Sequence, residues 1–183
     1  MVNINGKNNQ IRYFLDSIKN KPLQYIWRAS GMLCLGFGEK ITIDRNKQQI
    51  EVCKYRLHIQ CPWRIVNPEK KQISLACYDI YEPTKEEQET EEFDWQVFNW
   101  DSFGKNLFDQ KAASWFDMIV NPKVGDICID EWNDLKITFS SGDILETFIA
   151  SSFEAENWRL FETCKEEDEG IHLVAYKKEI CLE

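Results

Sequence analysis

Apolar and polar positions alternate most regularly over Tyr55–Val66, YRLHIQCPWRIV. Leu57, Ile59, Cys61, Trp63 and Ile65 fall on one side, and Arg56, His58, Gln60, Pro62 and Arg64 on the other. Successive side chains of a strand point to opposite faces, so this pattern predicts one long, half-buried β-strand. Similar reasoning predicts strands over 23–29, 31–38 and 73–81, and a short pair at 41–43 and 50–53 across polar DRNKQQ. Glycines 31, 36 and 38 predict a tight turn and a bulge or bend. From Val124 onward the text reads as a β-meander over 126–130, 135–139, 144–149, 157–163 and 171–177, with Ser-Ser-Gly-Asp supplying hairpin-turn chemistry at 140–143. In the aromatic strand Trp158-Arg159-Leu160-Phe161, both faces are expected to be buried.

Two segments carry a helical period instead. Residues 1–10 read as frayed, after which Ile11, Phe14, Leu15 and Ile18 form an apolar stripe over 8–19 that Pro22 terminates. The stronger helix runs over 102–119, where Leu107, Phe108, Ala112, Trp115, Phe116 and Ile119 share a face. Asp101 or Ser102 can cap its start and Pro122 closes it. The fold class that follows is α+β: predominantly antiparallel β, a sandwich or partial barrel with a carboxyl-terminal meander, packed with two helices.

A chain of 183 residues fits one globular domain, 1–183, in which the highly charged stretch 83–94 reads as a flexible acidic insertion. The seven cysteines are odd in number and lack CxxC spacing, and the polar first ten residues hold no signal-peptide core. Reduced thiols and a cytoplasmic location are therefore expected. Cys61 and Cys77, in apolar strand patterns, are expected to act as small hydrophobes. No apolar run is long enough to span a membrane as a helix. A net charge of −9 argues against nucleic acid and anionic lipid as partners and favours a cationic one.

Catalytic chemistry is hard to find. The two histidines, His58 and His172, have no partner at a metal-ligand spacing, so no metal or cofactor is implied. There is no GxSxG, and Cys61 and His58 point to opposite faces of their strand. Gly36-Phe37-Gly38 lacks the third glycine, the Lys-Ser/Thr and the helix that a phosphate-binding loop needs.

Two acidic runs remain. The first, KEEQETEEFD at 85–94, concentrates Glu86, Glu87, Glu89, Glu91, Glu92 and Asp94 beside Phe93 and Trp95. Charge of one sign next to aromatic anchors is the composition of a docking strip. The second, Glu166–Glu169, reads as a hairpin tip.

The segments LHIQCPWRI (57–65), FDWQVFNWDSFGKNLFDQKAASWF (93–116) and SGDILETFIASSFEAENWRLF followed by HLV (141–161, 172–174) resemble those of a set of small bacterial proteins. These are similar in style to the immunity proteins of polymorphic toxin systems. The resemblance implies a cytoplasmic bacterial domain; being a pattern of core and turn residues, it assigns no site residue.

Two functional readings follow. In the first, the chain is a non-enzymatic protein-binding module of immunity type that occludes a basic toxin such as a nuclease. Glu86, Glu87, Glu89, Glu91, Glu92 and Asp94 would steer the encounter, with Phe93 or Trp95 as anchor. In the second, a small-molecule-binding or enzymatic β domain holds an anionic ligand between its sheet and the 102–119 helix, on Arg56, His58 and Arg64.

Overall fold

The computed structural model describes residues 4–45, 47–164, 170–177 and 179–183, with side chains from residue 8 onward. Two antiparallel sheets enclose one core. The first has six strands in the order β1-β2-β3-β9-β10-β11, and the second five, in the order β5-β4-β8-β7-β6. Their ranges are β1 Leu23–Ala29, β2 Met32–Arg45, β3 Gln48–Ile59, β4 Trp63–Asn67, β5 Gln72–Ala76, β6 Val124–Ile129, β7 Leu135–Phe139, β8 Ile144–Thr147, β9 Trp158–Glu162, β10 His172–Ala175 and β11 Ile180–Leu182. Helices α1 (Ile4–Ile18), α2 (Lys85–Gln88) and α3 (Leu107–Met118), with a 3-10 turn at Cys77–Ile80, complete the described elements. The α+β architecture expected from the sequence is the one observed. None of the described helices is long and apolar enough to cross a membrane.

The alternation over 55–66 holds, but across two strands. β3 ends at Ile59 and β4 begins at Trp63 in the other sheet. Pro62, between them, has no N–H to give to a ladder. Its carbonyl accepts from the Phe148 amide, and the amides of Gln60 and Cys61 both donate to the Asn157 carbonyl. Leu57, Ile59, Cys61, Trp63 and Ile65 nevertheless all stay buried. The two inner faces look onto the same core, so the chain keeps one side inward while it changes sheet.

Longer strands replace two of the expected pairs. The expected strands 31–38 and 41–43 merge, from Met32 onward, into the single strand β2, bent at a bulge between Phe37 and Lys40 where Gly38 takes a φ of +80°. The carboxyl-terminal half is also no single meander. β6, β7 and β8 run consecutively and pair onward to β4, whereas β9 crosses to the first sheet, between β3 and β10. The expected strand 73–81 stops at Ala76, and the chain then turns through the 3-10 segment.

Helix α3 begins at Leu107, the first residue of its apolar stripe and five residues after the expected start at Ser102. Its cap is Asn106, whose Oδ1 accepts from the Asp109 amide at 2.9 Å while its Nδ2 donates to the Trp100 carbonyl at 2.8 Å. Residues 101–105 are wound into turns, with Gly104 at a φ of +81°. The helix buries Phe108, Ala112 and Trp115, setting Phe108 edge-on to Trp63 and Trp115 edge-on to Phe139. Helix α1 begins at Ile4, before the expected start, and inserts Phe14, Leu15 and Ile18 into the same core. The acidic run Glu166–Glu169 lies outside the described residues.

Candidate functional site

The loop that carries the acidic strip is closed at its base, where residues 82–84 meet residues 105–107. Pro83 bridges to Asn106, the Thr84 amide donates to the Lys105 carbonyl, and the Leu107 amide donates to the Glu82 carbonyl. Thr84 then caps α2 by accepting from the Glu87 amide at 3.1 Å. Beyond that short helix the chain turns back through Phe93, whose ring meets Trp95 edge-on at 5.3 Å and Phe98 at 6.0 Å.

This path forms an open cleft of about 520 Å³. Glu87, Glu91, Glu92 and Asp94 line it together with Phe93, Val97, Phe98 and Lys105. Glu86, Glu89 and Trp95 stand outside that lining, and all three are exposed. Three carboxylates are partly engaged: Glu87 takes the Lys105 ammonium at 2.8 Å, Glu86 accepts from Gln110 at 3.3 Å, and Asp94 Oδ1 accepts from the Gln96 amide at 2.9 Å. Val97, 74% exposed, adds apolar surface beside the acids of the lining. Trp100 instead packs against Tyr81 and the core.

A second cluster lies on the face of the six-stranded sheet that points away from the core. Strand register sets two rows across it. One runs Trp27, Cys34, His58, Arg159, Val174, Cys181; the other runs Tyr25, Gly36, Arg56, Phe161, His172. Phe161 is the hub. His58 and His172 flank its ring at 5.0 Å each, and the Arg56 guanidinium sits over it at 4.6 Å. Phe161 and Val174 are buried, as are Trp158 and Leu160 on the core side, so the aromatic strand is covered on both faces as expected.

Hydrogen bonds distinguish the two histidines. Arg159 Nη1 donates to Nδ1 of His172 at 2.7 Å, so that neutral ring carries its proton on Nε2. The His58 ring makes no hydrogen bond with the described residues and packs against Phe161 instead. Burial, followed by the neighbouring arginine, holds both imidazoles below their ordinary range; that arginine is Arg56 for His58 and Arg159 for His172. Burial also lowers Arg56 and raises the Tyr25 phenol to about 12.

Of the three residues expected to share an anion site, the fold brings Arg56 and His58 onto one face and sends Arg64 elsewhere. Arg64 follows the sheet change into β4, where it forks onto Glu146 through Nε at 2.9 Å and Nη2 at 2.8 Å. Helix α3 packs against β1, β5 and the 3-10 turn, so Arg56 and His58 do not face it. Arg159 and His172 join the cluster instead. Their presence was foreshadowed only by the polar positions of β9 and β10; their adjacency to β3 follows from the crossover, which no local pattern encodes.

Of the cysteines, Cys34, Cys53 and Cys61 are buried thiols, and burial pushes Cys61 up to about 12. Cys77, half-buried, packs against the core. No protein-family model matches the chain, and neither a curated protein nor a solved structure proved similar to it.

Proposed function

We propose that this chain is a non-enzymatic protein-binding module of immunity type, which docks its acidic aromatic cleft onto a basic protein and occludes it. The observation that carries the reading is the cleft itself: Glu87, Glu91, Glu92 and Asp94 converge around the Phe93 and Phe98 rings. Carboxylates beside ring faces suit an arginine or lysine side chain, which gains a charge partner and a cation–π contact together. Exposed Val97 in the lining and Trp95 against Phe93 supply apolar contacts that help exclude water from such a seat.

The net charge of −9 adds long-range steering toward a cationic partner. In the immunity form of this reading the partner is a basic toxin such as a nuclease, whose cationic substrate groove is covered. Occlusion asks for no catalytic group here, and a reducing cytoplasm suits the buried thiols.

The test is capture of the partner from the native cell, followed by association kinetics at several salt concentrations. Reversing Glu91, Glu92 and Asp94 to lysine should slow association at least tenfold at low salt and flatten its salt dependence. W95A should chiefly speed dissociation. An unchanged rate at low salt removes the cleft from the interface.

A further inference from the structure

Arg56 differs from the arginines around it. Arg28, Arg64 and Arg159 each hold at least one carboxylate within 3 Å. Arg56 is half-buried, yet no described carboxylate lies within ion-pair distance of it. Its Nε donates to Thr163 Oγ1 at 3.0 Å, and its plane lies over Phe161. Those two contacts lock the guanidinium, and among the described residues neither Nη group has an acceptor. A cation half removed from water and left uncompensated is costly unless an anion completes it.

Two described acids of this face are already engaged. Glu156 takes the fork of Arg159 at 3.2 and 2.8 Å and also accepts from Gln60, and Glu183 takes Arg159 Nη1 at 3.3 Å. His58 stands two residues along β3 on the same face, about 7 Å from Arg56 by strand rise, a gap that one tetrahedral oxyanion bridges. Arg56 sees Tyr25 across β2, and His58 sees Cys34 on one side and Arg159 on the other.

We propose that this sheet face is a binding site for the phosphate group of a small phosphate ester, held between the Nη groups of Arg56 and the imidazole of His58. The guanidinium fork matches phosphate geometry, and the imidazole adds a second donor that strengthens on protonation. A polyphosphate chain is disfavoured, because it would extend over the rest of a surface whose net charge is −9, whereas one phosphate group senses mainly the local cations. The site is separate from the acidic cleft, so its failure would leave the docking reading standing.

The chain has two histidines, which makes imidazole NMR the direct test. The full-length protein is titrated with inorganic phosphate and with glycerol phosphate, against chloride at matched ionic strength. The charged groups facing His58 and His172 are Arg56, Arg159, Glu156 and Glu183. Saturable shifts at His58 that exceed those at His172, with His58 titrating at higher pH when phosphate is bound, are the expected result.

R56M should weaken phosphate binding at least tenfold, R56K should restore part of it, and H58N should weaken it while leaving the fold intact. A stronger response to a short oligonucleotide than to glycerol phosphate would replace the small-ester assignment with a polyanion. Equal responses to chloride and phosphate, or full affinity in H58N, would overturn the site; both readings survive a misfolded R56M, since they use the wild type and H58N.

Discussion

Arg28 and Asp109, eighty-one positions apart, meet in a two-pronged ion pair: Nε reaches Oδ1 at 2.8 Å and Nη2 reaches Oδ2 at 3.0 Å. Both side chains are 3% exposed. The same guanidinium holds Asp101 Oδ1 at 2.9 Å, and Asp109 Oδ2 also accepts from the Gly104 amide at 2.8 Å. One buried pair thus joins β1, the first turn of α3 and the turns at 101–105 that close the acidic cleft. Removing one partner strands a buried charge, so R28M or D109L should each cost about 3–5 kcal/mol. The double variant should cost less than the sum, and denaturant unfolding of all four proteins measures the coupling.

Three tryptophans offer a controlled comparison. Trp158 is fully buried and its Nε1 donates to the Asn133 carbonyl at 2.9 Å, tying the first sheet to the β6–β7 turn. The indole nitrogens of Trp63 and Trp115 are also buried but have no acceptor among the described residues. Replacement by phenylalanine removes similar volume in all three. W158F loses a hydrogen bond and orphans a carbonyl, whereas W63F and W115F remove an unpaired donor. W158F should therefore be less stable than either by about 1–2 kcal/mol, read from chemical-denaturation midpoints.

Gly36 is needed for space. A Cβ there would sit 2.1 Å from Tyr25 Cε1, because the tyrosine ring lies directly over the glycine. G36A must push that ring off the sheet face and should cost about 1–3 kcal/mol. The Tyr25 phenol, pushed up to about 12 by burial, should then titrate closer to its ordinary value. Ultraviolet titration of wild type and variant reads that change.

The two histidines make stability depend on pH in a definite direction. Both are held below the ordinary value of 6.5, first by burial and then by the adjacent arginine. Between the lowered native value and 6.5 the unfolded chain binds more protons than the native one, so stability rises with pH across that window. It is lost as the pH falls through the window, and below the native value these groups add no further slope. The denaturation midpoint should be lower at about pH 5.5 than at about pH 7.5. H58N/H172N should reduce that difference, and an undiminished difference would assign it to other groups.

Sequence patterning determined more of the fold than of the site, and the balance has a physical cause. Period-two alternation reports burial, and burial is set by the core, so Leu57, Ile59, Trp63, Ile65, Leu135, Ile137 and Phe139 were legible as inward residues before any strand was placed. The stripe of α3 was legible for the same reason, although its start was not. Asn106 is the cap, while Asp101, one of the two expected caps, is held by Arg28 through a contact that is not local.

What the chain could not state by itself was which strands lie side by side. A run of alternating residues reads the same whether it stays in one sheet or steps into the next, since both inner faces share one core. Tertiary structure decided that Arg64 leaves for Glu146, and that Arg159 and His172 arrive beside Arg56 and His58. Pairing across the crossover to β9 depends on the mutual fit of whole sheets, for which adjacent residues carry no code.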